Sequence, residues 1–164
     1  ADIDETPDPK LSAEENVARL SRRKAEAIPR QPEDIVIAAD TIVVLDGQIL
    51  GKPRDEADAL RMLTALQGRH HTVCTGVTVR RGTQIITEAE TTRVYFRSAT
   101  EHELRAYIRG GEPLDKAGSY GIQGGAALFC EKMNGDYYNV VGLPVCRLGE
   151  ILGQIAPQWM GETE

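Results

Sequence analysis

The 164 residues are 41% hydrophobic and 27% charged, the balance of one folded domain whose core needs no covalent staples. A net charge of −6 argues against a nucleic-acid or anionic-membrane surface. No apolar stretch reaches the length of a membrane span, no signal-peptide pattern is visible, and the three cysteines (Cys74, Cys130, Cys146) form no C-x-x-C pair. Each cysteine is expected to be a small core residue in a reducing cytoplasm.

Ser12-Ala13-Glu14-Glu15 has the spacing of a capping box and opens a helix expected to run to about Ile28, where Pro29 and Pro32 end it. Val17, Leu20, Lys24 and Ile28 fall on nearly one stripe of that helix, so a lysine stands beside the core face. Its ammonium either snorkels to water or is aimed into a cleft to hold an anion. The longest apolar run follows, Ile35 to Leu45, and reads as a strand covered on both faces. Asp40 interrupts it. A buried carboxylate is costly unless paired, hydrogen-bonded or metal-bound, so Asp40 marks either the exposed tip of a core strand or a working site. Both readings point to a cleft at a strand end; a carboxylate capping the next turn is the plainer alternative.

Asp46-Gly47 is a hairpin turn into a short strand, broken by Gly51-Lys52-Pro53. Pro53 holds Lys52 extended and well placed to meet phosphate, although lysines in surface turns are common. Asp55 caps a helix with an acidic first turn, ended by Gly68. Val73, Val77 and Val79 alternate with polar residues as in a half-buried strand, and Arg81-Gly82 turns the chain into a partner from about Gln84 to Arg97. Thr100 to Glu103 repeats the capping box, Leu104, Tyr107 and Ile108 supply an apolar face, and Gly110-Gly111 stops that helix.

The polar loop from Glu112 leads into a glycine-rich stretch, Gly118 to Gly125. Its glycines either bring backbone amides close to a ligand or form a plain irregular loop; the alternation of Tyr120 and Ile122 favours binding. Ala126 to Cys130 reads as a short strand, Val145 to Ile155 as a last helix, and Gly161 to Glu164 as a frayed tail. Hairpins with interspersed helices give one mixed α/β domain. Adjacent His70 and His71 point apart on an extended chain and are poorly placed to share a metal. Arg22-Arg23-Lys24 is too short for a nucleic-acid patch, and no Walker loop or Ser-His-Asp order is present.

Seven segments together resemble the Maf family of nucleoside triphosphate pyrophosphatases. They are Ile3-Asp4-Glu5, Arg19 to Ala25, Ala39-Asp40-Thr41, Gly51-Lys52-Pro53, Leu66 to Arg69, Glu112 to Gly124 and Asn139 to Pro144. They recur in family order over nearly the whole chain, which is far more specific than any one of them. The resemblance implies an α/β fold with an elongated, twisted central sheet, flanking helices and a cleft between two lobes. It implies a cytoplasmic enzyme that hydrolyses a nucleoside triphosphate to the monophosphate and pyrophosphate, with Mg²⁺, or Mn²⁺ or Co²⁺ in its place.

By match to the family motifs, Asp40 would orient or deprotonate the attacking water, and Glu5 would join it around the metal. Lys24 and Lys52 would neutralise the triphosphate. Thr41 and Gln123 would select the base, with Lys116 also binding substrate. The form of the glycine-rich loop resembles the branch acting on dTTP and UTP rather than on 7-methyl-GTP. Family members begin with a strand and a Ser-x-Ser-Pro-Arg-Arg segment that these 164 residues do not contain, so residues 1–164 are expected as one Maf-like domain without that strand and motif. The competing expectations are a nucleotide-binding regulator of cell division that does not hydrolyse, and a pyrophosphatase of the 7-methyl-GTP branch. A homodimer is compatible with the resemblance.

Overall fold

Strands β1 (Ile35–Leu45), β2 (Gln48–Leu50), β3 (His70–Arg81), β4 (Gln84–Phe96) and β5 (Cys130–Asn134) form one sheet in the order β2-β1-β3-β4-β5. Every neighbouring pair is antiparallel. Helices α1 (Ala13–Ala27), α2 (Glu56–Leu66), α3 (Glu101–Arg109), α4 (Tyr137–Val141) and α5 (Val145–Ile155) flank it. This mixed α/β architecture is that of a computed structural model describing residues 3–161; the expected fraying of residues 162–164 lies outside the described residues.

Local chemistry fixes the connections. Asp46 and Gly47 both take positive φ, 50° and 75°, the turn whose twist suits a two-residue hairpin. The Ser12/Glu15 and Thr100/Glu103 capping boxes are both formed, and Asp55 caps α2. Helix α1 stops before Pro29, with Ile28 already extended as a residue preceding proline prefers.

Helix α1 crosses one face of β1 and β3. The approach is so close that a Cβ on Gly76 would overlap the carbonyl of Val17, so glycine is required there for packing and not for its torsion angles. Ser21 Oγ meets Thr78 Oγ1 at 2.9 Å, and Ala25 packs on Val36 and Ala38. On the opposite face, Leu148, Ile151 and Ile155 of α5 cover Val77 and Val79, and α4 lies over β3 beside them. The main core fills the end of the sheet under α2 and α3, where Leu63, Leu66, Leu104 and Ile108 surround Val73, Phe96, Tyr120 and Phe129.

Several expectations are corrected. Strand β3 is not half-buried: Val73 through Val79 are all buried, because α1 covers one face and α4 and α5 the other. Strand β1 alternates over its first half, with Ile37 42% exposed, because α5 packs over β3 and β4 instead. Ala126 to Leu128 belong to a 3₁₀ turn (Gly125–Leu128), and the strand begins at Cys130; a five-residue apolar run is too short for its period to decide. Cys74 is buried, but Cys130 is only partly so and Cys146 is exposed, since Leu148 and Ile151 take the inward side of α5. Among the described residues no helix is long and apolar enough to cross a membrane.

Candidate functional site

Asp40 is the sixth of eleven residues in β1, not its tip, and its side chain faces α1. The last turn of that helix brings Lys24 Nζ to 2.7 Å from Asp40 Oδ1 and 3.3 Å from Glu5 Oε1. The helix also fixes Glu5, which lies in a segment without regular structure. Arg23 Nη1 donates to the carbonyl of Asp4 at 3.0 Å and Arg19 Nη2 to that of Thr6 at 2.9 Å, so the backbone is pinned on both sides of Glu5. Sequence reasoning treated Arg22-Arg23-Lys24 as a plain helix face and missed this clamp. Its signal is the spacing of Arg19 and Arg23, one helical turn apart beside Lys24.

Two carboxylates and one ammonium leave the trio with net charge −1 when all are ionised. Burial raises the Asp40 pKa above the usual carboxylate value; the Lys24 hydrogen bond and charge oppose this, and Glu5 adds to it. Burial works against the Lys24 ammonium, but Asp40 and Glu5 outweigh it and raise its pKa. The outcome is a protonated lysine beside an unusually basic carboxylate, a trio that attracts further positive charge.

The trio lines a cavity of about 290 Å³ together with Thr41, Lys52 and Lys116. Only Val43–Leu45 of β1 pair with β2, so Asp40 and Thr41 have β3 on one side and, among the described residues, no strand on the other. Both line the cavity, although Asp40 and Thr41 stand on alternate faces of the strand. The loops carrying the two outer lysines are tied together where Gly118 N donates to the carbonyl of Gly51 at 3.1 Å. Gly118, at φ +68°, also sits so tightly on Val43 that a Cβ would meet its methyl groups at 2.9–3.0 Å.

Gln123 lies apart from the trio, in an adjoining compartment of about 240 Å³ that shares Lys116, Tyr120, Val140 and Val141 with the first. The glycine-rich stretch around it does not turn all its amides to open space. Gly121 N donates to Tyr107 Oη at 3.1 Å and Gly125 N to Glu112 Oε2 at 3.0 Å, and a Cβ on Gly124 would overlap the Glu112 carboxylate. These glycines admit a protein carboxylate, and Tyr107 and Glu112 grip the turn carrying Gln123 at both ends. Neither residue was singled out from sequence, because Tyr107 fits its helix's apolar stripe and Glu112 reads as one more loop charge.

Hard oxygen donors converge in one place, as Mg²⁺-type sites require. Glu5 and Asp40 already share a single cation, the Lys24 ammonium. Among the described residues no group of three or more His, Cys, Asp or Glu side chains could hold a metal, so such an ion would complete its shell from substrate and water. His71, by contrast, is buried against Tyr120, with Nε2 2.6 Å from the phenol oxygen, and has no part in the trio.

Residues 1–155 match the family described as Maf-like protein. The chain is 51% identical over 143 residues to the dTTP/UTP pyrophosphatase of Bacillus pumilus, covering 87% of this chain and 76% of that protein. Against the dTTP/UTP pyrophosphatase of Desulfotalea psychrophila it is 53% identical over 153 residues, covering 92% and 78%. Against that of Pelotomaculum thermopropionicum it is 49% identical over 155 residues, covering 93% and 81%.

Proposed function

The chain belongs to the Maf family, and on that premise we propose that it hydrolyses dTTP and UTP to the monophosphate and pyrophosphate. The observation that carries the reading is Asp40: a mid-strand carboxylate made basic by burial, held by Lys24 and facing a lysine-lined cavity. Water attacks the α-phosphorus, its proton passes to Asp40, and the bond from that phosphorus to the bridging oxygen breaks with the electron pair leaving on pyrophosphate. Such displacements ask the protein for positioning and charge stabilisation more than for covalent chemistry. Lys24, whose raised pKa keeps it charged, fixes the Asp40 carboxylate, while Lys52 and Lys116 offset charge on the triphosphate.

Glu5 and Asp40 would hold a divalent ion, Mg²⁺ or else Mn²⁺ or Co²⁺, which supplies Lewis-acid polarisation of phosphate oxygens when bound. Thr41 and Gln123 meet the base from the two compartments that join at Tyr120 and Val140. The reading extends to a cytoplasmic enzyme acting on free nucleotides as a homodimer, the assembly that sedimentation would report. The experiment is pyrophosphate release from dTTP, UTP, CTP, GTP and 7-methyl-GTP, with and without Mg²⁺, for the parent and Asp40→Asn. The expected result is metal-dependent release from dTTP and UTP, reduced roughly 10²–10⁴-fold by the substitution. Nucleotide binding without any release would make the protein a sensor, and full turnover by Asp40→Asn would remove Asp40 from the reaction.

A further inference from the structure

We propose that Thr75, a fully buried residue behind the cavity wall, sets the hydrogen-bond polarity of Thr41 and thereby admits bases with a ring N–H, uracil and thymine, over cytosine. The inference rests on the proposed reading that Thr41 meets the base. Thr75 Oγ1 lies 2.9 Å from the carbonyl of Asn139 and 2.8 Å from Thr41 Oγ1. A carbonyl only accepts and a hydroxyl has one proton, so the Thr75 proton is committed to Asn139. In its contact with Thr41, Thr75 can then only accept. Thr41 must donate inward, and what it turns toward the cavity is lone pairs.

The direction of this relay is built in, because the carbonyl that starts it is anchored. Asn139 Nδ2 donates to the carbonyl of Val73 at 3.2 Å and to Thr92 Oγ1 at 3.1 Å, and Thr92 Oγ1 donates to the carbonyl of Asp136 at 2.8 Å. These bonds fasten α4 to β3 and β4, and Asn139 and Thr92 are themselves fully buried. An alternative in which Thr41 donates to a ligand would either set two hydroxyl lone pairs 2.8 Å apart or take the Thr75 donor from the Asn139 carbonyl, leaving it only the longer bond from Gly142 N at 3.2 Å. A low-dielectric interior penalises both.

An acceptor at the wall favours a base that brings a donor. Uracil and thymine carry a proton on N3; cytosine presents a lone pair there, so acceptor would face acceptor. Discrimination through a missing hydrogen-bond partner is far stronger than discrimination by size. The motif Asn139-Val140-Val141-Gly142, whose valines line the cavity, thus also contributes through a backbone carbonyl two residues removed from the ligand.

The test compares kcat/KM for UTP and CTP in the parent, Thr75→Val and Thr75→Ser, with thermal melts as a check on folding. Thr75→Val frees the Thr41 hydroxyl to rotate and donate, so the UTP-over-CTP ratio should fall at least about tenfold, mainly through KM. Thr75→Ser keeps the relay and should restore the ratio. A folded Thr75→Val with the parental ratio, or a Thr75→Ser that loses it equally, overturns the inference. If valine unfolds the strand, Thr75→Ala serves, and the intact chain offers a second measurement: N3-methyl-UTP, which lacks the donor, should be turned over far more slowly than UTP. Equal turnover of the two overturns the polarity argument. Failure of the parent to release pyrophosphate from any pyrimidine triphosphate would instead defeat the proposed function, so the two failures are told apart.

Discussion

Lowering the pH from 7.5 to 5 places a proton on His71 only if the domain opens. The ring is buried among Phe96 and Tyr120, and burial, aided by the neighbouring charge of His70, pushes its pKa from 6.5 down to about 4. Burial also holds the Tyr120 phenol protonated, and its oxygen lies 2.6 Å from Nε2 of the neutral ring. The unfolded chain takes up the proton below pH 6.5 while the fold refuses it until about 4. The stability this provides is therefore complete above pH 6.5 and is lost as pH falls toward 4. The difference, 6.5 minus 4, corresponds to about 3 kcal/mol in all, with about 2 kcal/mol gone by pH 5. For a domain of this size that is a fall in Tm of roughly 4–8 °C. Urea unfolding of the parent and His71→Gln across pH 7.5 to 5 isolates the effect, since titration of the carboxylates cancels in the comparison. Glutamine keeps a hydrogen-bond partner for Tyr120, so its deficit at pH 7.5 should shrink by about 2 kcal/mol at pH 5. Parallel curves for the two proteins would refute the reasoning.

Gly76→Ala should destabilise the domain by about 1–3 kcal/mol, because the new Cβ meets the helix backbone at Val17, which cannot swing aside as a side chain would. It should also cost more activity than that stability loss implies, by lifting α1 and lengthening the Lys24–Asp40 contact; a melt and a pyrophosphate assay decide, and an unchanged melt rejects the close contact. Glu112→Gln weakens the bond to Gly125 N and loosens the turn that bears Gln123, so KM for dTTP should rise roughly fivefold with kcat within about twofold. Hydrogen exchange at the Gly125 amide should quicken in parallel, and an unaltered rate would show that the carboxylate does not hold the turn.

Much of the fold was legible because local chemistry is unambiguous where caps and turns are involved. Both capping boxes, the Asp46-Gly47 hairpin and the bounds of α5 follow directly from residue type and spacing. Burial was less legible. Strands that bury threonines look half-exposed in sequence, yet Thr75 and Thr78 of β3 and Thr92 of β4 are all fully buried, each with its hydroxyl satisfied by a partner distant in the chain. Asp40 and Lys24 each stood out as misplaced charges on apolar surfaces, but that they meet depends on how closely α1 approaches β3, which Gly76 sets from fifty residues away in the chain. The clamps by Arg19, Arg23, Tyr107 and Glu112 were illegible for another reason: all four act on backbone carbonyls or amides, and a sequence does not display which backbone groups lack partners.

Consecutive positions on one strand divide the labour of this cleft. Asp40 looks toward α1 and the charged trio, and Thr41 looks toward α4 and its threonine relay. On the roles proposed for Asp40 and Thr41, the pleat insulates the reacting groups from those that would meet the base, although they are one peptide bond apart. A descendant of this chain could acquire a new nucleotide preference by changing the Thr41 face alone, inheriting its hydrolytic apparatus unaltered. Repertoires of substrate in such a scaffold can diverge quickly while the chemistry stands still.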